Sequence, residues 1–341
     1  MYNPALALSI AAALTAAGVL LLRPVRGYFW RWLRGRRLTD RAELEDALKH
    51  LYDCEDRRRP TTWDSLSGTL SLSGERTTQL LAKLEGMELI AGSEGAYRLT
   101  PEGRSYALRI IRNHRLWEAY FSEETGLDPL EWHTEAEYRE HRTTPEEADR
   151  LATRMGDPRF DPHGDPIPTR GGDVVPSRGH PMTELDVGQH AEIVHVEDEP
   201  HAVYAQLLAA NLHPGTRVRV LEHTPERIRF EADGEERVLA PVLAANLSVI
   251  ALRGAEETEH PFERLSRVQL GDRVKVTGIA AACRGRERRR MLDLGFVPGT
   301  IIEPEMNSPS GDPTAYRIRG TLIALRHEQA DLIQIERLAP A

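Results

Sequence analysis

The sequence predicts a mainly α-helical protein with an all-β C-terminal part, and two observations carry that prediction. From Thr39 onward apolar residues recur at the three- and four-residue spacings of helices, whereas beyond Pro168 they alternate in short runs broken by Pro-Gly. The change falls at TRGGDVVPSRGHP, a stretch rich in Gly, Pro and charge that places a linker at 169–180.

With 341 residues the chain can hold several domains, each burying its own core. A net charge of -9 argues against a generic polyanion binder, but residues 23–112 carry 17 Lys+Arg against 13 Asp+Glu, so one basic region stands apart from an acidic remainder. The two cysteines, Cys54 and Cys283, fall in different predicted domains. They form neither a disulfide framework nor a cysteine zinc knuckle, and a reducing compartment fits them.

The first element is residues 5–22, free of charge and interrupted only by Ser9 and Thr15. As a helix it would reach about 27 Å, enough to cross the hydrocarbon core of a bilayer. RPVRGYFWRWLRGRR follows, and basic and aromatic residues there predict an anchor over 1–37 with the N-terminus outside and the C-terminal domains in the cytoplasm. A cleaved signal peptide would need basic residues before the apolar run, and MYNP has none.

Next, Leu44, Leu48 and Leu51 form one stripe of an amphipathic helix over 43–52. A short helix over 63–70 precedes the turn Ser71-Leu72-Ser73, and Ser73 is placed to cap a third helix with Leu80, Leu81 and Leu84 inward. AGSEGAYRLT reads as a two-stranded wing and Pro101 opens another helix. This order is a winged helix-turn-helix over 38–108. Its third helix would enter a major groove with Ser73, Arg76, Thr77, Thr78, Gln79 and Lys83 facing double-stranded DNA, while Glu75 would repel phosphate.

The strongest chemical signal is HTEAEYREH. At about 100° per residue, His133, Glu137, Glu140 and His141 share an arc of roughly 100° on one helix face, and His114 and Glu118 share another face. Imidazoles and carboxylates without thiols suit Mn2+, Fe2+ or Zn2+. The competing reading is a solvated acidic helix that happens to carry two histidines.

In order and spacing, ALKHLYD, SLSGERTTQLLAKLEGMELI, RLTPEGRSYALRIIRNHRLWE, HTEAEYREH and PHGDPIP resemble the DtxR/MntR family of metal-dependent transcriptional repressors across about residues 38–168. The resemblance implies a helical metal-binding and dimerisation domain over 109–168, with a primary site of Asp46, Glu137, Glu140 and His141. It implies an ancillary site of His114, Glu118 and His133, and a homodimer whose metal positions two recognition helices. An oxygen-rich primary set favours Mn2+ or Fe2+, with Zn2+ as a surrogate. Lys49 departs from the pattern at a position where some manganese sensors have glutamate, and Asp161 departs from it where cysteine is frequent. His163 reads as a loop residue outside the site.

A repeat of roughly 84 residues follows the linker: LDVGQHAEIVHV parallels VQLGDRVKVTGI, and LHPGTRVRVLE parallels FVPGTIIEPEM. Both copies, 181–253 and 262–341, resemble FeoA-type SH3-like domains. The family's donors from the first copy would fall near Pro200 and Val203, which cannot ligate; Glu199 and His201 lie beside them. RGRERRR, 284–290, reads as a solvated basic turn or as a contact to DNA or lipid head groups.

Two functions follow from these readings: a membrane-tethered metal-dependent repressor of metal-uptake genes, or a cytoplasmic metal sensor regulating or derived from a metal transporter without binding DNA. An enzyme is not expected, because no general base stands with an open metal position.

Overall fold

The computed structural model describes residues 28–93, 95–232, 235–252, 263–280 and 282–338, with side chains from Thr39 onward. The chain divides into two compact units, one comprising residues up to Asn113 with Tyr138–Pro145 and Arg170–Gly172, the other His114–Glu137, Glu146–Thr169 and Asp173–Ala341.

In the first unit, helix α1 (Tyr28–Asp56) is followed by β1 (Thr61–Thr62), α2 (Trp63–Thr69) and α3 (Gly74–Gly86). The wing strands β2 (Ile90–Ser93) and β3 (Ala96–Leu99) come next, and then the start of α4 (Pro101–Glu124). The three short strands pair in the order β1-β3-β2. Leu44, Leu48 and Leu51 of α1 meet Leu66, Leu80, Leu81, Leu84, Ile90 and Ala107 in one buried core. Each of these leucines contributes roughly 2 kcal/mol of apolar burial. Ser73 caps α3 by accepting from the Arg76 backbone N–H, and Thr62 caps α2 in a reciprocal pair with Ser65.

Two expectations need correction. Thr77 is not on the outer face of α3: it is fully buried, and its hydroxyl donates to the Ser73 carbonyl at 3.0 Å. The single-pass membrane placement does not stand either. The segment 5–22 lies outside the described residues, and among those no helix is long and apolar enough to cross a membrane.

In the second unit, the C-terminal half of α4 packs Leu116, Trp117 and Phe121 against Trp132 and Ala136 of α5 (Trp132–Glu140) and Leu151 of α6 (Pro145–Arg154). Two six-stranded antiparallel sheets follow. The first comprises β4 (His180–Pro181), β5 (His190–Val196), β6 (Arg217–His223), β7 (Ile228–Ala232), β8 (Glu235–Leu239) and β9 (Leu247–Ala251), in the order β4-β9-β5-β6-β7-β8. The second comprises β10 (Glu263–Arg264), β11 (Val274–Ile279), β12 (Ile301–Asn307), β13 (Thr314–Ile318), β14 (Thr321–Leu325) and β15 (Ile333–Arg337), and its order β10-β15-β11-β12-β13-β14 repeats the first strand for strand. Bulges recur at matching places, between Ile193 and His195 and between Val276 and Gly278. Each sheet is open and encloses its own apolar core, including Phe230 in the first and Phe296 in the second. The sequence repeat is therefore a repeat of small SH3-like domains.

Candidate metal centres

The first cluster forms within the first unit. Asp46 projects from α1 near its middle, while Glu140 and His141 stand at the end of α5, and donor atoms of all three lie within 4.8 Å of one another. His141 Nε2 is 3.3 Å from Asp46 Oδ1 and 3.4 Å from Glu140 Oε1. Glu140 is fully buried, and Lys49 Nζ donates to its Oε1 at 2.8 Å. His141 Nδ1 lies 2.6 Å from Glu45 Oε2, and the equally buried Glu45 also accepts from Arg41 and Tyr106. Burial works against an imidazolium here, but hydrogen bonds to Asp46 and Glu45 overcome it and raise the His141 pKa to about 9. The three carboxylates beside His141, those of Asp46, Glu45 and Glu140, thus favour positive charge, which the His141 proton and Lys49 supply.

The second cluster, inside the second unit, centres on Glu118, which is almost wholly buried. Its Oε1 lies 3.0 Å from His114 Nε2 and 3.3 Å from His133 Nδ1, with the two imidazole rings 4.8 Å apart. Asp198, just after β5, brings Oδ2 to 2.8 Å from His133 Nδ1 and 3.2 Å from His163 Nδ1. Despite this proximity, neither ring nitrogen of His163 nor Nδ1 of His133 has a hydrogen bond of acceptable geometry. Buried ring nitrogens held close to carboxylates in this way, able to take a proton or a metal ion, are the chemistry of a cation site. Burial opposes charge on His163, yet Asp198, Glu118 and Asp161 raise its pKa to about 9; burial with Asp165 and Glu118 pushes Asp161 up to about 7. Burial likewise opposes ionisation of Glu118, but its histidines hold it well below the usual carboxylate range.

Glu137, expected beside Asp46, is brought together with His133 and Glu199: its Oε1 is 3.6 Å from His133 Nε2, and Glu199 Oε1 is 3.2 Å from the same nitrogen. The sequence reading missed Asp198 and His163. Asp198 sits in the acidic turn Glu197-Asp198-Glu199, next to the two positions that lack donors. His163 is held by a tight turn in which Asp161 Oδ1 accepts from the His163 and Asp165 backbone N–H groups, each at 2.9 Å. Gly164 then takes φ +97, and a Cβ there would come within 2.0 Å of the Val194 carbonyl, so only glycine lets this loop reach β5.

On α3, Ser73, Thr78, Gln79 and Lys83 are exposed. Gln79 reaches Glu75 at 3.1 Å, and Thr78 bonds back to the Gly74 carbonyl. Arg76 is engaged within the protein: its Nε donates to Glu43 at 2.8 Å, and its Nη2 pairs with Asp40.

Residues 100–169 match the family described as "Iron dependent repressor, metal binding and dimerisation domain", and residues 180–251 and 263–337 each match the FeoA domain. By fold and by these matches the chain is similar to the DtxR/IdeR/MntR repressors in its helical part, which two FeoA domains follow. The chain is 33% identical to the diphtheria toxin repressor of Corynebacterium glutamicum over 39% of its own length, spanning 58% of that protein. It is 28% identical to the diphtheria toxin repressor of Corynebacterium diphtheriae over 62% of its length and 97% of that protein. Among solved structures, a manganese-dependent transcriptional repressor in complex with manganese is similar with a TM-score of 0.57 and 26% identity, covering 61% of this chain and all of that one. These relatives are regulators of transcription, not enzymes.

Proposed function

We propose that the chain is a divalent-metal-dependent, DNA-binding repressor of metal-uptake genes. It would act as a homodimer on a double-stranded operator, with Mn2+ or Fe2+ as the cation and Zn2+ as a surrogate. Domain limits of 38–108, 109–168, 181–253 and 262–341 go with this reading. The observation that carries it is the convergence of Asp46 from the first helix with Glu140 and His141 from α5. A donor set of two carboxylates and one imidazole suits hard or borderline divalent ions. A bound cation would supply the positive charge that Lys49 and the His141 proton supply without it.

The protein's own residues transmit the effect. Asp46 shares α1 with Asp40 and Glu43, and these two hold Arg76 of α3. Fixing Asp46 therefore fixes the helix to which the recognition helix is fastened, so that Ser73, Thr78, Gln79 and Lys83 face the groove in one orientation. Thr77 supports α3 from inside. His114, Glu118, His133, His163 and Asp198 form an ancillary cation site that braces the second unit, with Glu137 and Glu199 on its exposed side.

A gel-shift titration of upstream DNA with Mn2+ tests this. Glu140→Ala and His141→Ala should abolish metal-stimulated binding while leaving the circular-dichroism spectrum intact; retention of the full metal response would overturn the assignment. Metal binding without any DNA shift in the native protein would favour a sensor that does not touch DNA.

A further inference from the structure

The second FeoA domain has no part in the mechanism above; in its basic run Arg286, Arg289 and Arg290 are exposed, but Arg284 is engaged within the protein. Arg284 Nη1 donates to the Pro162 carbonyl at 3.0 Å, and Pro162 lies between Asp161 and His163. Arg284 is half-buried, with the charges of Glu123, Asp161 and Arg288 near enough to act on it, and burial lowers its pKa. The next residue, Gly285, has φ +55, and a Cβ there would stand 2.7 Å from the Ser122 carbonyl, so this backbone lies directly on the end of α4. Arg289 adds an exposed pair with Glu124 at 2.8 Å. Arg288 turns back to the Ile279 carbonyl at 3.3 Å.

From the other side, the first FeoA domain holds the same loop. The Val196 N–H donates to the His163 carbonyl at 2.9 Å, and the Tyr204 ring lies 5.0 Å from the His163 ring. The loop carrying His163 is thus gripped between two copies of one fold.

We propose that the second FeoA domain is a clamp on the Asp161–Gly164 loop, with Arg284 as the positioning residue that sets how tightly the Glu118/His163/Asp198 cluster holds a divalent cation. The proposal rests on reading that cluster as a cation site. Two effects of Arg284 oppose each other: its charge repels an incoming cation, and its hydrogen bond holds His163 in place. The carboxylates of Asp161 and Glu123 offset the charge, whereas the hydrogen bond to the Pro162 carbonyl is not offset in this way, so positioning prevails. Loss of one charge-assisted hydrogen bond to a buried carbonyl corresponds to about tenfold or more in affinity.

The test uses the full chain carrying Glu140→Gln, which silences the Asp46 cluster, and follows unbound Mn2+ by electron paramagnetic resonance. Arg284→Met should weaken Mn2+ binding about tenfold, Arg284→Lys should restore most of it, and Arg286→Met should change nothing. In a Glu118→Gln background, Arg284→Met should leave Mn2+ binding at the Asp46 cluster unchanged, which general damage to the fold would not do. Equal or tighter binding in Arg284→Met overturns the clamp alone. Absence of Mn2+ binding in Glu140→Gln itself overturns the cation reading of the cluster and the clamp with it.

Discussion

Lowering the pH should weaken Mn2+ binding at the Asp46 cluster by an amount that His141 dictates. Its pKa is raised to about 9 by Asp46 and Glu45 against the opposing effect of burial, so at neutral pH the imidazole carries a proton. A metal needs the neutral ring, so each binding event must displace that proton. Below pH 9 the neutral fraction falls tenfold per unit. Between pH 8 and pH 6 the apparent affinity should therefore drop about 100-fold, or about 2.7 kcal/mol. The measurement is isothermal titration of a Glu118→Gln variant with Mn2+ at pH 6, 7 and 8 in buffers of different ionisation heat, which counts protons released. Close to one proton per Mn2+ is expected at pH 7. A flat affinity across this range, with no proton release, would refute the reasoning from His141.

Further outcomes follow from the same geometry. Lys49→Met strips the ammonium from the fully buried Glu140 and should destabilise the metal-free protein by about 2 kcal/mol, below the usual cost of breaking a buried pair because Lys49 is partly exposed; saturating Mn2+ should recover most of the lost melting temperature, and equal loss with and without metal would count against the cluster. Gly164→Ala, with its Cβ forced onto the Val194 carbonyl, should cost at least about 2 kcal/mol in chemical denaturation. Lys83→Ala should weaken operator binding uniformly and reduce the salt slope by about one, while Gln79→Ala should relax sequence preference, both readable in gel shifts at several salt concentrations. His141 and His163, both raised to about 9 from 6.5, lend the metal-free protein stability that is fully present below pH 6.5 and lost as pH rises through 9, so the Mn2+-induced rise in melting temperature should be larger at pH 9 than at pH 6.5.

Much of the fold was legible in local pattern. Leucine spacing marked α1 and α3, Ser73 marked a helix start, and the Pro-Gly punctuation marked two copies of one sheet, because capping and periodicity act over a few residues. Thr77 was misjudged because a threonine on a polar-looking face gives no sign that its hydroxyl can bond back to the preceding turn and leave its methyl group inside. Arg76 looked free to read DNA for a similar reason: its partners Asp40 and Glu43 belong to another helix.

Taken alone, the amino-acid order determined which residue types could bind a cation and on which helix face each would lie. Tertiary structure decided how they are grouped. It set Glu140 against Lys49, turned Glu137 toward His133, and supplied Asp198 and His163 from a turn and a loop whose local sequence shows no helical or strand period. The physical reason is that a donor set is defined by distances of a few ångströms between segments far apart in the chain. Only burial, loop geometry such as that at Gly164, and the packing of one element on another determine those distances.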